Sequence, residues 1–379
     1  MKARTPLLGF LLVLIAGIVD QAISQVPYIS SFSNNGLLVC TNLSPGSTAA
    51  VYLSSSCLGP WYTMKGLNSI TVGSNETIQV NLPVSNQGAE FFRVLGVPAI
   101  NPFAGMAFIP AGSFTMGDFT NLDGVADALP TNVYVSAFYM DGRLVSYSLW
   151  QSVFTYATNN GYAFDDPGAG KATDHPVQTV NWYDIVKWCN ARSLQTGLTP
   201  VYYTDAGLTQ VYTNGDVTPF VNWTNSGYRL PTEAEWEKAA RGGLVGQRFP
   251  WGNTISESQA NYVANTALFS YDLGPYDGNN TNFDNGVQPY TSPVAYFQAN
   301  GYGLNDMAGN VQQWCWDWYD TPYGQPTTNN PTGPASGSNR ILRGGLWNFF
   351  ANYTRCSNRG KNFPDYSDNT IGFRCVKGP

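Results

Sequence analysis

Apolar positions fall into three patterns along the chain, and each predicts a different kind of structure. Lys2 and Arg4 precede an apolar run over residues 7–19, which is followed by Ala22-Ile23-Ser24. A charged start, a run too short to cross a bilayer and a small-x-small end predict a signal peptide over 1–24, with a mature chain beginning near Gln25. No later segment is long and apolar enough to span a membrane. From 25 to 97 the apolar runs are short (36–40, 50–53, 77–82 and 91–95), and Asn, Gly, Ser and Pro separate them. That spacing predicts a small all-β domain. It carries no recognisable chemistry and reads as a spacer or attachment module.

Residues 96–102 contain two prolines and read as a linker, which places the second domain at 98–379. There the period changes to that of helices. One helix is predicted from about Ser148, with Leu149, Trp150, Val153, Phe154 and Ala157 on one face. A second follows the cap residue Asn181 and carries Ile185, Trp188 and Cys189. A third follows Pro231, where Thr232 and Glu235 form a capping box before Trp236 and Ala239. The rest is Gly-, Asn- and Trp-rich without helical period, an α+β pattern dominated by irregular structure. Long ordered loops of this kind call for ions or disulfides.

Composition narrows the function. Of 379 residues, 43% are apolar and only 12% charged, so disorder is excluded. Net charge is −6 and no run of Lys or Arg exceeds two residues, so nucleic-acid binding lacks its electrostatic footprint. The six cysteines are Cys40, Cys57, Cys189, Cys315, Cys356 and Cys375, an even count that favours disulfides in an exported chain. None forms a CxxC pair, and with one histidine a structural zinc site is improbable. Cys40 and Cys57 are the only cysteines of the β domain and are expected to pair, which would stabilise by roughly 3 kcal/mol. A Ser-His-Asp or Cys-His engine would have to use His175, which precedes Pro176 and reads as a packing residue. Glu233, Glu235 and Glu237 share one short capped helix, and its dipole explains them better than glycoside hydrolysis does. Asn42, Asn75, Asn222, Asn279 and Asn352 match the glycosylation sequon.

Eight segments in register carry a resemblance. They are Phe108-Ile109-Pro110-Ala111-Gly112-Ser113-Phe114-Thr115-Met116-Gly117; His175-Pro176-Val177 with Val180-Asn181-Trp182; Tyr228-Arg229-Leu230-Pro231-Thr232-Glu233-Ala234-Glu235-Trp236-Glu237; Phe249-Pro250-Trp251-Gly252-Asn253; Asn300-Gly301-Tyr302-Gly303-Leu304; Ala308-Gly309-Asn310-Val311; Arg343-Gly344-Gly345; and Ile371-Gly372-Phe373-Arg374-Cys375. Residues 106–375 thereby resemble the formylglycine-generating (sulfatase-modifying factor) family. The resemblance implies a C-type-lectin-like α+β domain with little regular structure, and it does not reach residues 25–97.

Family enzymes hold Cu(I) through two cysteines shortly after Arg-Gly-Gly and use it with O2 to oxidise a substrate cysteine to formylglycine. Soft thiolates are what Cu(I) requires. Here the stretch is Leu346-Trp347-Asn348-Phe349-Phe350-Ala351-Asn352-Tyr353-Thr354, without Cys, His or Met. Leu346 replaces the family serine, Gln312 replaces a tryptophan that lines the enzyme site, and only Arg359 matches. No copper is expected. The resemblance further implies a Cys189–Cys375 disulfide. Cys356 matches a family disulfide cysteine whose usual partner is Ala240 here, which leaves Cys315 as the replacement partner.

Two calcium sites are also implied. One uses Asp306, Gln313 and the carbonyls of Gly309 and Val311; the other uses Asn261, the Tyr262 carbonyl, Asp284 and Gly286. The combined reading is an exported, noncatalytic binding or surface protein, located outside the cell, at its surface or in the periplasm. Its protein or carbohydrate ligand would meet Leu346, Trp347, Asn348, Phe349, Phe350, Asn352, Tyr353 and Arg359. One alternative is a sulfatase-modifying-type oxidase acting on a protein cysteine. The other is a retroelement-diversified ligand-binding protein, since such proteins share this fold and vary the segment after Arg-Gly-Gly. Residues 346–370 are rich in Asn, Phe, Tyr, Ser, Asp and Thr, the products of changing adenines in Asn codons.

Overall fold

The computed structural model describes residues 103, 105–118, 127–321, 323 and 328–379, together with the strands of the N-terminal region. The chain divides into two compact units, 1–102 and 103–379. Residues 1–24 and Cys57 lie outside the described residues, and with them the signal peptide and the Cys40–Cys57 pairing.

The described residues of the first unit are all in β-strands. Strand Leu37–Thr41 lies between Tyr28–Phe32 and Ile78–Asn81, antiparallel to both. Leu38 and Cys40 are buried while Leu37 and Val39 are half-buried, the period of two that a one-sided strand requires. In a second sheet Thr48–Ser54 pairs with Phe91–Val97, Tyr62–Thr63 and Ile70–Thr71.

The second unit contains three α-helices among its described residues, two started by the cap residues anticipated and the first by Ser146, just ahead of the start its apolar period predicts. Helix α1 (Tyr147–Asn159) is capped by Ser146 Oγ, which accepts from Leu149 N at 3.3 Å, and it buries Trp150, Val153 and Ala157. Helix α2 (Trp182–Gln195) is capped by Asn181 Oδ1, which accepts from Asp184 N at 2.8 Å. Helix α3 (Glu233–Ala240) has the reciprocal box. Thr232 Oγ1 accepts from Glu235 N at 3.2 Å, and Glu235 Oε2 accepts from Thr232 N at 2.9 Å. Helices α1 and α2 meet through Trp150 and Trp188, stacked at 5.6 Å, with the Phe373 ring edge-on to both.

A four-stranded sheet runs Gly360–Asn362, Arg340–Arg343, Gln312–Trp318, Ile371–Gly372, the last pair parallel and the others antiparallel. From Gln313 to Trp318 the third of these strands is buried on both faces. Its indoles and its neighbours' find carbonyl partners: Trp314 Nε1 donates to Val180 O at 3.2 Å and Trp182 Nε1 to Cys315 O at 2.9 Å. A three-stranded sheet (Met106–Ile109, Phe138–Asp141, Val376–Lys377) and the hairpin Gly112–Met116 with Thr131–Val135 complete the frame.

The helix dipole does not account for the glutamates of α3. All three are buried, where a dipole worth roughly 0.3–1 kcal/mol could not hold a carboxylate. Arginines hold them instead. Arg229 grips Glu235 with two bonds of 2.7 Å, Arg359 grips Glu233 at 2.7 and 3.0 Å, and Arg241 Nη2 meets Glu237 at 2.6 Å. Arg343 lies between two of them, 3.3 Å from Glu233 and hydrogen-bonded to Glu237.

Candidate functional site

The site begins where strand Arg340–Arg343 ends. Gly344 and Gly345 take φ of 97° and 72°, and a Cβ on Gly345 would stand 2.8 Å from Tyr353 O. Only glycine lets the chain turn back this sharply under residues 353–354. The turn and a single 3-10 turn, Ala351–Thr354, enclose one side of a recess of about 310 Å³. Strand residues Gln312, Leu342, Gly360, Lys361, Asn362 and Ile371 form its floor and far wall, with Asp368, Thr370 and Arg359 alongside and Leu346, Asn348, Phe349 and Tyr353 on the near side.

The eight residues anticipated as a ligand surface separate into three groups. Asn348, Phe349, Phe350 and Tyr353 are exposed, at 41%, 37% and 38% for the three aromatics. Phe349 and Tyr353 meet edge to face at 4.7 Å on the recess, whereas Phe350 turns away to Phe269, with ring centres 6.1 Å apart. Asn352 is half-buried beside the recess, and its carbonyl accepts from Arg355 Nε at 2.7 Å.

Trp347 is a correction. It is 1% exposed, packs with Leu144 and Val311 in a core cluster that Tyr290 flanks, and donates Nε1 to Asn369 O at 3.3 Å. Trp347 and Asn348 are the central residues of a turn closed by Phe349 N donating to Leu346 O at 3.3 Å, with Trp347 inward and Asn348 outward. Leu346 is buried too and contributes only apolar wall. Arg359 is the second correction. Besides Glu233 it serves the carbonyls of Asp127 and Asp320, both at 2.8 Å, so no N–H group of the pair-forming edge is left for a ligand.

Lys361, Asn362, Asp368 and Thr370 escaped sequence reasoning, because only sheet register brings strand 360–362 and the 368–371 turn to this place. Lys361 Nζ stands 4.0 Å over the Tyr319 ring. Asp368 accepts from Thr370 N at 2.8 Å, Thr370 Oγ1 at 2.6 Å and Tyr366 OH at 3.0 Å. The lining offers amides, one ammonium, one guanidinium, two aromatic rings and a carboxylate that holds a threonine hydroxyl. It does not fit Cu(I), since it contains no thiolate, imidazole or thioether. Cys315 and Cys356 are sealed in the core. Burial pushes the Cys356 thiol up to about 12 and raises the Cys315 thiol well above its ordinary value, which keeps both protonated.

The two calcium loops come together at Gly309. With φ of 75°, it brings its backbone so close to Asn261 that a Cβ would stand 2.2 Å from Asn261 O, and Asn310 N donates to that oxygen at 2.8 Å. Asp306 fits a cation in part: Oδ2 accepts from Ala295 N at 2.7 Å while Oδ1 is buried without a partner. Gln313 does not fit. Its Oε1 already accepts from Trp236 Nε1 at 2.8 Å and Arg374 Nε at 2.7 Å, so a guanidinium stands where a ligand bond would form. In the other loop Asn261 is buried, with Nδ2 donating to Tyr290 O at 2.7 Å, and Tyr262 is buried as well. Asp284 and Gly286 are exposed and bonded locally. Asp284 accepts from Asn279 Nδ2 at 2.9 Å and Gly286 N at 3.1 Å, with the Tyr290 hydroxyl beside it.

All five described cysteines are thiols. Cys189 and Cys375 bring their sulfurs within 3.6 Å in the core, and Cys315 Sγ lies 4.0 Å from the Gln313 carbonyl.

The chain is similar to known proteins. Formylglycine-generating enzyme of Mus musculus is 33% identical over 286 residues, covering 72% of this chain and 74% of that protein. Formylglycine-generating enzyme of Streptomyces coelicolor is 33% identical over 301 residues, covering 74% and 91%. Among solved structures, Treponema denticola variable protein 1 superposes with a TM-score of 0.56 at 27% identity, covering 78% of this chain and 98% of its own. The family model for the sulfatase-modifying factor enzyme 1-like domain matches residues 93–379, and the chain belongs to that family.

Proposed function

We propose that this member of the family is a noncatalytic binding protein, exported by its N-terminal segment, that recognises a protein or carbohydrate ligand with the recess and its aromatic rim. The observation that carries the reading is the exchange of chemistry after Arg-Gly-Gly. Where the family's enzymes place soft ligands, this chain exposes Asn348, Phe349 and Tyr353 over a recess lined by amides. Exposed aromatic rings contribute contact area at low rotamer cost, and amides donate and accept in fixed directions. The likeness to a structure named a variable protein supports the same reading and suits a diversified segment over 346–370. The relatives named formylglycine-generating enzyme favour the alternative, an oxidase acting on a protein cysteine. Incubating the purified chain with Cu(I), O2 and a cysteine-containing sulfatase peptide separates the two. Mass spectrometry should find no formylglycine, and copper-dependent conversion would overturn the binding reading.

Calcium belongs to the proposal at the Asp306 loop, where the partnerless Oδ1 supports it. The melting temperature should rise in calcium relative to chelator, and Asp306→Asn should diminish that rise if the loop is a site. No response in the unaltered chain would end the idea.

A further inference from the structure

Away from the recess, residues 255–277 fold around a pair of acids that form no ion pair among the described residues. Glu257 is 7% exposed and Asp272 3%. Asp272 accepts three bonds, Oδ1 from the Tyr262 hydroxyl at 2.6 Å and Gly274 N at 3.1 Å and Oδ2 from Asn265 N at 2.7 Å, which leaves one lone pair on Oδ2. Glu257 Oε2 accepts one long bond from Tyr276 N at 3.4 Å, and Oε1 is buried with no hydrogen-bond partner. The two carboxyls and the Tyr262 hydroxyl act on one another electrostatically, while no lysine or arginine is among the charges acting on Glu257 or Tyr262.

Buried carboxylates are neutralised by a partner or by a proton. A proton on Glu257 Oε1 would exchange a partnerless acceptor for a partnerless donor. A water molecule would satisfy the atom and leave the charge. A cation does both. The geometry points to a divalent cation of the calcium class held at Glu257 and Asp272. The donors are all oxygen, which selects a hard cation, and two carboxylates balance its charge while backbone oxygens and water complete the shell. This centre is separate from the two family-implied loops. One of those would use the Tyr262 carbonyl, whereas the Tyr262 hydroxyl turns to Asp272.

The test removes the other two loops first. In the full chain carrying Asn261→Ala and Asp306→Asn, calcium should still raise the melting temperature, and adding Glu257→Gln should abolish the rise. Terbium, a luminescent stand-in for calcium excited through nearby tyrosines, gives a second readout in the otherwise unaltered chain. Its emission should saturate, be displaced by calcium, and weaken at least tenfold in apparent affinity on Glu257→Gln. If Glu257→Gln does not fold, Asp272→Asn replaces it in both arms. Absence of a calcium response in the doubly substituted chain, or a response and terbium affinity that survive Glu257→Gln, would overturn the proposal.

Discussion

At the scale of single residues, one short segment carries both core and surface, and neighbouring positions have opposite fates. Phe349 and Tyr353 rest on each other at the recess, while Trp347 is enclosed by Leu144 and Val311. Trp347→Ala should therefore cost about 3–5 kcal/mol, the range for removing a buried aromatic. Phe349→Ala and Tyr353→Ala should each stay within about 1 kcal/mol, since they lose one ring contact and no enclosed volume. Urea denaturation of the three variants decides the matter. If the rim residues cost as much as Trp347, these rings are core and the recognition surface lies elsewhere. The sequence showed five large side chains between 346 and 353 without separating them. Composition cannot tell the inward residue from the outward one; the turn closed by Phe349 N on Leu346 O separates them.

Among elements, the three helices were the most legible part of the fold: Asn181 and the Thr232–Glu235 box announce two starts within one turn, and the apolar face from Leu149 to Ala157 gave the first helix without its cap Ser146. The ionic partners of α3 were not legible. Glu233 finds Arg359 at a separation of 126 residues, and no local rule reaches that far. A further carboxylate stands at the start of α3, where Asp317 Oδ2 accepts from Glu233 N at 2.8 Å and Oδ1 has no partner. Burial first, and the Glu233 charge second, push the Asp317 carboxyl from an ordinary 3.8 up to about 8. The folded chain thus keeps this proton up to about pH 8, whereas the unfolded chain releases it near pH 4, so folding takes up a proton in that window. Stability should fall as pH rises from about 4 to about 8 and level off above it, by at most about 1.4 kcal/mol per unit. Asp317→Asn should flatten that slope. Denaturation at pH 5, 6.5 and 8 measures it, and equal slopes in the two proteins would place the Asp317 titration elsewhere.

The whole molecule was legible through its motifs, which lie in register from 106 to 375 and whose family matches 93–379. What they could not give is the lining of the recess, assembled from strands and turns far apart in sequence. The closure of the second unit joins both levels. Cys189, on α2, and Cys375, before the final strand, stand 3.6 Å apart at their sulfurs across a separation of 186 residues. Asp141 braces the same junction, accepting from Cys375 N at 3.0 Å and from Arg192 through bonds of 2.7 and 2.9 Å. In an oxidising compartment these thiols should form a disulfide, and in the chain-entropy model closing so long a loop stabilises by about 5 kcal/mol. Peptide mapping without reduction should recover the Cys189 and Cys375 peptides joined, and Cys375→Ser should lower the melting temperature of the oxidised protein. If instead both cysteines of protein purified from its native compartment react as free thiols once denaturant exposes them, the pairing is wrong. Export would then lose the support that the even cysteine count lends it, because a pair held this close in the core has every geometric reason to close wherever an oxidant is present.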